Sequence, residues 1–413
     1  MSARRIRVVV AVVLALSCAT LAPVPALAAS SPGLNVPASY LVTSGDHVLW
    51  KHKPNTERRV ASTIKMLNVL VVVDRADLDE TVTVSAKAGK TPGIGLLKGE
   101  KFTVRQLLKM TLIASANAAA EALATHIGGT EANYVKLMNA KARELGLTHT
   151  HAIDPHGLSK REHSTAHDLS VLAKHVMAVP ELRKIIGMRS FTIPVRGHAP
   201  LKHRTTDALL GHYAGLFGVK TGFTNPAGYC FVGMATRGKI SLTSVVLGGH
   251  TPRSRFSQTR KLLDWGFSGF KTKKLVSAAT TMGVVQVLGG VESSVSVHPS
   301  HDVTALAWTR SPRTRKLTLP ASVRAPIVRG DQLGVVQIRQ DGSTLVSVAL
   351  LADADVATAT APATVTAGLG DVASEMTGRA EPSIWERIGT LPARAWAALV
   401  SSLHFASIGR QAL

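Results

Sequence analysis

The sequence predicts an α+β fold, arranged as an αβα sandwich rather than a barrel, followed by a small all-β domain. Helical and strand-like segments alternate over residues 30–267. Within them, the run Thr63–Val73 is apolar on all sides, which is typical of a helix buried in a core. Over residues 270–355, valine and threonine alternate with polar residues between glycine breaks, which indicates short strands.

Local signals place the elements of the first part. Two apolar triplets flank Ser44-Gly45-Asp46 and predict a hairpin. Thr103 is expected to cap a helix that carries Leu107, Leu108 and Leu112. Further helices are predicted over 118–127 and from Ser164 onward, and strands over 191–193, 228–232 and 240–247.

The two ends of the chain carry signals of their own. Residues 1–28 have the basic, apolar and small-residue layout of a cleaved secretory signal, with a retained membrane anchor as the alternative. Residues 356–380, rich in Ala, Thr and Gly, predict a linker. Residues 383–405 predict an amphipathic helix suited to a membrane interface or to packing on protein. The protein is therefore expected in the periplasm or on the outer face of the cytoplasmic membrane.

The charge and the cysteines narrow the expected partners. The formal net charge of the chain is +22, and it stays strongly basic after loss of the signal. Export argues against nucleic acid, so anionic lipid head groups and acidic cell-wall polymers are the expected counterparts. Cys230 is the one cysteine after the signal, so neither an internal disulfide nor a CxxC metal knuckle is expected.

The first chemical motif is Ser62-Thr63-Ile64-Lys65, at the start of the predicted buried helix. A spacing of three places both polar side chains on one helix face. An ammonium group in an apolar run is costly and favours a lowered pKa, as a general base requires. This predicts Ser62 as nucleophile and Lys65 as general base. A second Ser-x-x-Lys, Ser268 to Lys271, lies at the predicted domain junction without helical context.

Two further motifs complete a candidate acyl-transfer site. Ser115-Ala116-Asn117 offers a hydroxyl for proton relay and a carboxamide to orient Lys65 or the substrate. Lys220-Thr221-Gly222, expected to begin a strand, offers a cation and a hydroxyl for a substrate carboxylate. The backbone N–H of Phe223, with that of Ser62, is predicted to form an oxyanion hole. Each of these two motifs alone also fits an ordinary turn, and Ser62 with Lys65 alone also fits a helix-capping serine and a surface lysine.

Together, these motifs resemble those of low-molecular-mass penicillin-binding proteins, specifically serine-type D-alanyl-D-alanine carboxypeptidases of peptidase family S11. The resemblance covers nearly the whole mature chain and includes residues 145–148, 154–158, 163–169 and 218–229. It implies a penicillin-recognising, β-lactamase-like αβα sandwich with a helical subdomain, a catalytic domain over 30–267, and a β-rich domain over 270–355. Val60, Ala118 and Phe217 stand where the family commonly has proline, aspartate and an acidic residue.

The resemblance also implies a reaction. Ser62 is expected to attack the peptide bond between the last two D-alanines of a peptidoglycan stem pentapeptide, without cofactor or metal. β-Lactams are expected to acylate the same serine. The alternatives are a D,D-endopeptidase and a serine β-lactamase. The second needs a glutamate in a Glu-x-x-Leu-Asn setting, whereas Glu144 is followed by Leu147 and Thr148.

Two alternatives come from other functional classes. A zinc hydrolase is suggested by a local group of His156, His163, His167, Asp168 and His175, but no His-Glu-x-x-His motif occurs. A cell-wall-binding protein without activity is expected to lack Ser62, Lys65 or Lys220, and all three are present. The sequence therefore favours the serine peptidase.

Overall fold

The computed structural model describes residues 31–34, 38–195 and 197–360. The predicted signal at 1–28 and the predicted amphipathic helix at 383–405 lie outside the described residues. The first part of the chain contains, in order, β1 (Ser39–Ser44), β2 (His47–His52), a 3-10 turn (Ala61–Ile64), α1 (Lys65–Arg75), β3 (Thr81–Thr83), α2 (Ala86–Lys90), β4 (Lys101–Thr103), α3 (Val104–Ile113), α4 (Asn117–Gly128), α5 (Glu131–Glu144), α6 (Ala166–Ala178), α7 (Pro180–Ile186), β5 (Ser190–Val195), β6 (His198–Arg204), β7 (Leu216–Thr224), β8 (Gly228–Arg237), β9 (Ile240–Gly249) and α8 (Pro252–Ser268).

The central sheet has the strand order β2-β1-β9-β8-β7, with antiparallel neighbours throughout. Helix α8 packs on one face of this sheet and α6 on the other. Because side chains alternate along a strand, Leu41 and Val42 belong to hydrophobic clusters on opposite faces, as do Val245 and Val246. This confirms the predicted αβα sandwich.

Helix α1 is the centre of the helical region, as its apolar sequence predicts. Residues 65–72 are all buried, and α4, α5 and α6 pack against them. Thr103 caps α3 with a full capping box, because its hydroxyl accepts from Gln106 N and the Gln106 side chain accepts from Thr103 N. The predicted helix start at Thr103 is confirmed.

Two local predictions were wrong. The helix expected from Ser164 begins at Ala166, because the Thr165 side chain accepts from Asp168 N and caps it there. Lys220 was expected to begin a strand but lies inside β7, since the residues from Leu216 to Gly218 already pair with β8. The backbone is therefore in strand conformation on both sides of Lys220, with a register shift directly before it.

The second part is the predicted all-β region. Its strands are β10 (Phe270–Val276), β11 (Gly283–Leu288), β12 (Ser294–Pro299), β13 (Val303–Trp308), β14 (Arg313–Thr318), β15 (Ser322–Arg324), β16 (Gln332–Gln340) and β17 (Ser343–Ala352). The main sheet has the order β14-β16-β17-β12-β11-β15, and β10 pairs with β13. Val356 and Thr358, at the start of the predicted linker, still pair with Ile327 and Gly290. The later linker residues, from 361 on, lie outside the described residues.

An aromatic cluster joins the two parts. The Trp308 ring on β13 lies 5.2 Å from the Trp265 ring on α8 and 5.0 Å from the Phe270 ring. A Cβ atom on Gly269 would lie 2.0 Å from Trp308 Cζ3, so a side chain at this position would collide with the indole. Within the described ranges, no helix has both the length and the apolar character that crossing a bilayer requires.

Candidate active site

The Lys65 ammonium nitrogen lies at the centre of the site. Its Nζ donates to Ser62 Oγ at 2.8 Å, to Asn117 Oδ1 at 2.6 Å and to the main-chain oxygen of His156 at 2.8 Å. Lys65 is the first residue of α1, and Ser62 lies in the 3-10 turn that precedes it. Two of the predicted motifs therefore meet at one amine.

Burial decides the protonation of this amine. Lys65 has no exposed surface, and burial lowers its pKa to about 7, although the charges of Asp154 and Glu162 oppose the shift. A protonated amine loses hydration energy when it leaves water, which favours the neutral form. Lys65 can therefore both accept and return a proton near neutral pH.

The loop at 154–157 fixes the turn that carries Ser62. Asp154 Oδ1 accepts from His156 N at 2.9 Å. Gly157 has φ +91°, and a Cβ atom there would lie 2.3 Å from Ala61 O and 2.8 Å from Ser62 N. Only glycine combines this backbone conformation with so close an approach. The loop thus packs directly on the backbone of the candidate nucleophile.

Lys220 is the second candidate cation of the site. Lys220 Nζ donates to Ser115 Oγ at 2.9 Å and to Thr221 O at 2.9 Å. Lys220 is 2% exposed, and burial lowers its pKa well below the usual range, with the positive charges of Lys65 and Arg255 acting in the same direction. A bound anion would favour the charged form, so this position suits a substrate carboxylate.

Strand β7 runs beside the nucleophile turn. A Cβ atom on Gly222 would lie 2.8 Å from Val60 O and 3.2 Å from Ser62 N, so glycine permits this contact. Phe223 is the next residue, is 45% exposed and stacks on Tyr229 with ring centroids 4.2 Å apart. The hydroxyl groups of Thr221 and Thr206 lie 2.6 Å apart. The structure thus brings residues of the three motifs into contact with one another.

Two polar groups beside the motif residues were not predicted from the sequence. The main-chain oxygen of His156 also accepts from Ser62 Oγ at 3.3 Å. Arg255, near the start of α8, donates from Nη1 to Gly222 O at 3.1 Å. The segment 154–158 was part of the family resemblance in the sequence. The main-chain oxygen of His156 could not be predicted as an acceptor, because every residue type carries that atom. Arg255 lies outside every motif.

Comparison with known proteins decides the family. Residues 35–251 match the family model of D-alanyl-D-alanine carboxypeptidases, peptidase S11. This chain belongs to the S11 peptidase family. Residues 270–358 match the C-terminal domain of penicillin-binding protein 5. The S11 assignment agrees with the serine and lysine pairs described above.

Named relatives of this S11 peptidase come from several bacteria. D-alanyl-D-alanine carboxypeptidase DacF of Bacillus subtilis is 31% identical over 319 residues, which cover 75% of this chain and 82% of the relative. DacB2 of Mycobacterium tuberculosis is 38% identical over 229 residues, covering 54% and 78%. The crystal structure of penicillin-binding protein 5 from Haemophilus influenzae has a TM-score of 0.56 and 28% identity, covering 79% of this chain and all of that one.

The histidine-rich segment of the S11 chain does not form the zinc site considered in the sequence. His163 pairs through its backbone with His151, and His167 is exposed. Asp168 is buried and accepts from His149 N at 2.9 Å and from Thr150 Oγ1 at 2.8 Å. Among the described residues, these side chains do not make a group with the spacing of metal ligands.

One buried carboxyl group of the S11 domain lies behind the Lys220 strand. Asp207 is 6% exposed, and its Oδ1 accepts from Leu209 N at 2.8 Å. Its Oδ2 has no hydrogen-bond partner among the described residues and lies against Gly218, where a Cβ atom would approach to 1.6 Å. Burial raises the pKa of Asp207 to about 6.

We expect Asp207→Asn to stabilise the protein at pH 7.5 and not at pH 4. The folded pKa lies above the unfolded value of about 3.9, so the favourable contribution exists below pH 4 and is lost as the pH rises through 6. Removing the buried charge should raise the free energy of unfolding by about 1–3 kcal/mol at pH 7.5. Urea unfolding at both pH values measures this, with the exposed Asp341→Asn as control. An equal gain at both pH values would contradict the expectation.

Proposed function

We propose that this chain is a serine D-alanyl-D-alanine carboxypeptidase that removes the terminal D-alanine from peptidoglycan stem pentapeptides. The observation that carries the proposal is the 2.8 Å contact between Lys65 Nζ and Ser62 Oγ, made by a lysine with no exposed surface. In this proposal, neutral Lys65 takes the hydroxyl proton while Ser62 Oγ forms a bond to the carbonyl carbon. Collapse of the tetrahedral intermediate releases D-alanine and leaves an acyl-enzyme, which water then hydrolyses.

The remaining motif residues have matching roles. Lys220 and Thr221 hold the terminal carboxylate, and Arg255 adds positive potential where it contacts β7.

Ser115, which accepts a hydrogen bond from Lys220, relays a proton to the leaving amine, and Asn117 orients Lys65. The N–H groups of Ser62 and Phe223 stabilise the oxyanion, a role supported by the close packing of Gly222 on the Ser62 turn.

A serine β-lactamase is the less favoured alternative. Such an enzyme needs a glutamate that activates the deacylating water beside the nucleophile. Glu144, the candidate from sequence, is the last residue of α5, and its side chain is 64% exposed and pairs with Lys141 at 2.7 Å. Its side chain therefore faces solvent rather than Ser62. We expect β-lactams to form a long-lived adduct on Ser62 rather than to be turned over.

The direct test is release of D-alanine from a synthetic pentapeptide that ends in D-Ala-D-Ala. We expect release of one D-alanine per peptide and none from the matched peptide that ends in D-Ala-L-Ala. Cross-linked muropeptides serve in parallel to separate endopeptidase from carboxypeptidase activity. Cleavage of the cross-link with no release of terminal D-alanine would replace the proposal with an endopeptidase.

The location of the enzyme is part of the proposal. The signal predicted at 1–28 supports export, and the predicted amphipathic helix at 383–405 supports contact with the outer face of the cytoplasmic membrane. Both segments lie outside the described residues. The net charge of +22 fits a surface that meets anionic lipids or acidic wall polymers.

A further inference from the structure

We propose that Glu121, Glu131 and His156 form a binding site for a divalent cation of the zinc class, separate from the acyl-transfer chemistry. One carboxylate oxygen from each glutamate and one ring nitrogen of His156 lie within 4.8 Å of one another. Glu121 comes from α4, Glu131 begins α5, and His156 belongs to the loop behind the nucleophile turn. Three separate segments of the chain thus direct ligand atoms at one point.

The environment of the Glu121 side chain points to a ligand. It has no exposed surface, and neither carboxylate oxygen has a hydrogen-bond partner among the described residues. The nearest groups able to carry positive charge are His156 Nε2 at 3.7 Å and Lys87 Nζ at 4.0 Å, both too far for a hydrogen bond. Burial raises the pKa of Glu121 to about 8, and the neighbouring Glu131 carboxylate acts in the same direction. Coordination of a cation would displace the proton and satisfy both buried oxygens.

The donor set suits zinc better than a hard cation. Imidazole nitrogen with carboxylate oxygens is a common ligand set for zinc, and water can complete a four-coordinate shell. His156 Nδ1 lies 2.9 Å from Asp154 Oδ1, which leaves Nε2 facing Glu121. An acidic group behind a ligating histidine orients the ring and raises its basicity. Asp154 is therefore the outer neighbour of the proposed site, at a distance from Nδ1 that permits a hydrogen bond but at an angle that does not make one.

Two side chains of the cluster are partly exposed at the protein surface. The Glu131 side chain is 23% exposed and that of Lys87 is 56% exposed, and these two residues form an ion pair. The Lys87 ammonium is thus the resident cation, and a metal ion has to displace it. Removing this ammonium should strengthen metal binding, which distinguishes a metal site from a simple ion-pair cluster.

Metal binding would also restrain the loop at 154–157. The His156 ring belongs to the proposed site, and the main-chain oxygen of the same residue accepts from Lys65 Nζ at 2.8 Å. A ligand that binds only the folded protein stabilises it. We therefore expect Zn²⁺ to raise the melting temperature of the wild-type protein.

Calorimetric titration of Zn²⁺ into the full chain, purified without a histidine tag and stripped with chelator, tests the site. We expect one site per chain. Glu131→Gln should weaken binding by at least about tenfold and abolish the thermal stabilisation, whereas Lys87→Met should tighten binding. The control is the double variant His151→Gln/His163→Gln, which removes the stacked histidine pair near the surface and should bind as the wild type does.

Any of three results would contradict the proposal of a metal site. The first is unchanged binding in both Glu131→Gln and Lys87→Met. The second is loss of binding in the double histidine variant, which would place the metal on the stacked pair. The third is absence of binding even in Lys87→Met, with circular dichroism showing that this variant is folded. None of these readouts depends on peptidase activity.

Discussion

Ser62→Ala is expected to abolish covalent labelling by benzylpenicillin and to lower D-alanine release by about 10⁴-fold or more. The hydroxyl lies 2.8 Å from Lys65 Nζ and 3.3 Å from the main-chain oxygen of His156. Alanine removes the only atom of this side chain that can bond to the carbonyl carbon. Intact-protein mass spectrometry detects the adduct, and a coupled assay for D-alanine measures the rate.

The chain supplies a matched control for this change. Ser268 begins a second Ser-x-x-Lys, but it ends α8, and its hydroxyl donates to Trp265 O at 2.9 Å. Lys271 of the same motif is exposed on β10. We expect Ser268→Ala to label and turn over as the wild type does. An adduct that persists in Ser62→Ala would rule out Ser62 as the nucleophile.

Lys65→Met is expected to slow acylation by about 10²–10⁴-fold, the contribution typical of a positioned general base. Methionine fills much of the same buried volume without a group that takes the Ser62 proton. It also removes the donor to Asn117 Oδ1. Stopped-flow labelling with a fluorescent penicillin measures the acylation rate, and circular dichroism checks that the variant is folded.

Lys65→Arg separates charge from proton transfer. A guanidinium keeps the positive charge but does not lose its proton in the physiological range, so it cannot act as a base. We therefore expect Lys65→Arg to be as slow as Lys65→Met. Lys239→Met, at an exposed position in the β8–β9 turn, should leave the rate unchanged. Wild-type labelling by Lys65→Arg would mean that the lysine only supplies charge.

Much of the fold was predictable from the sequence, and the candidate site residues could be named there, because the signals are local. An apolar run with a single lysine identified α1, and Thr103 with Gln106 marked the start of α3. Alternating valines identified the β-rich part. Convergence of the three motifs depended on the family resemblance, because spacing along the chain says nothing about contacts such as that between Lys220 and Ser115.

Other parts of the site were beyond sequence reasoning. His156 contributes a main-chain oxygen to the cleft, and any residue type could supply that atom. Glu121 reads as one polar residue in an alanine-rich helix, and only the packing of α4 shows that its carboxylate is buried without hydrogen bonds. The strand position of Lys220 was also missed, because the apolar residues before it are too few to reveal how far the pairing extends.

The contact of Trp308 with Trp265 has a consequence for how the sandwich and the β-rich part move. A rotation between the sandwich and the β-rich part would separate the Trp308 ring from the Trp265 ring and bring apolar area into water. We therefore expect the sandwich and the β-rich part to move together.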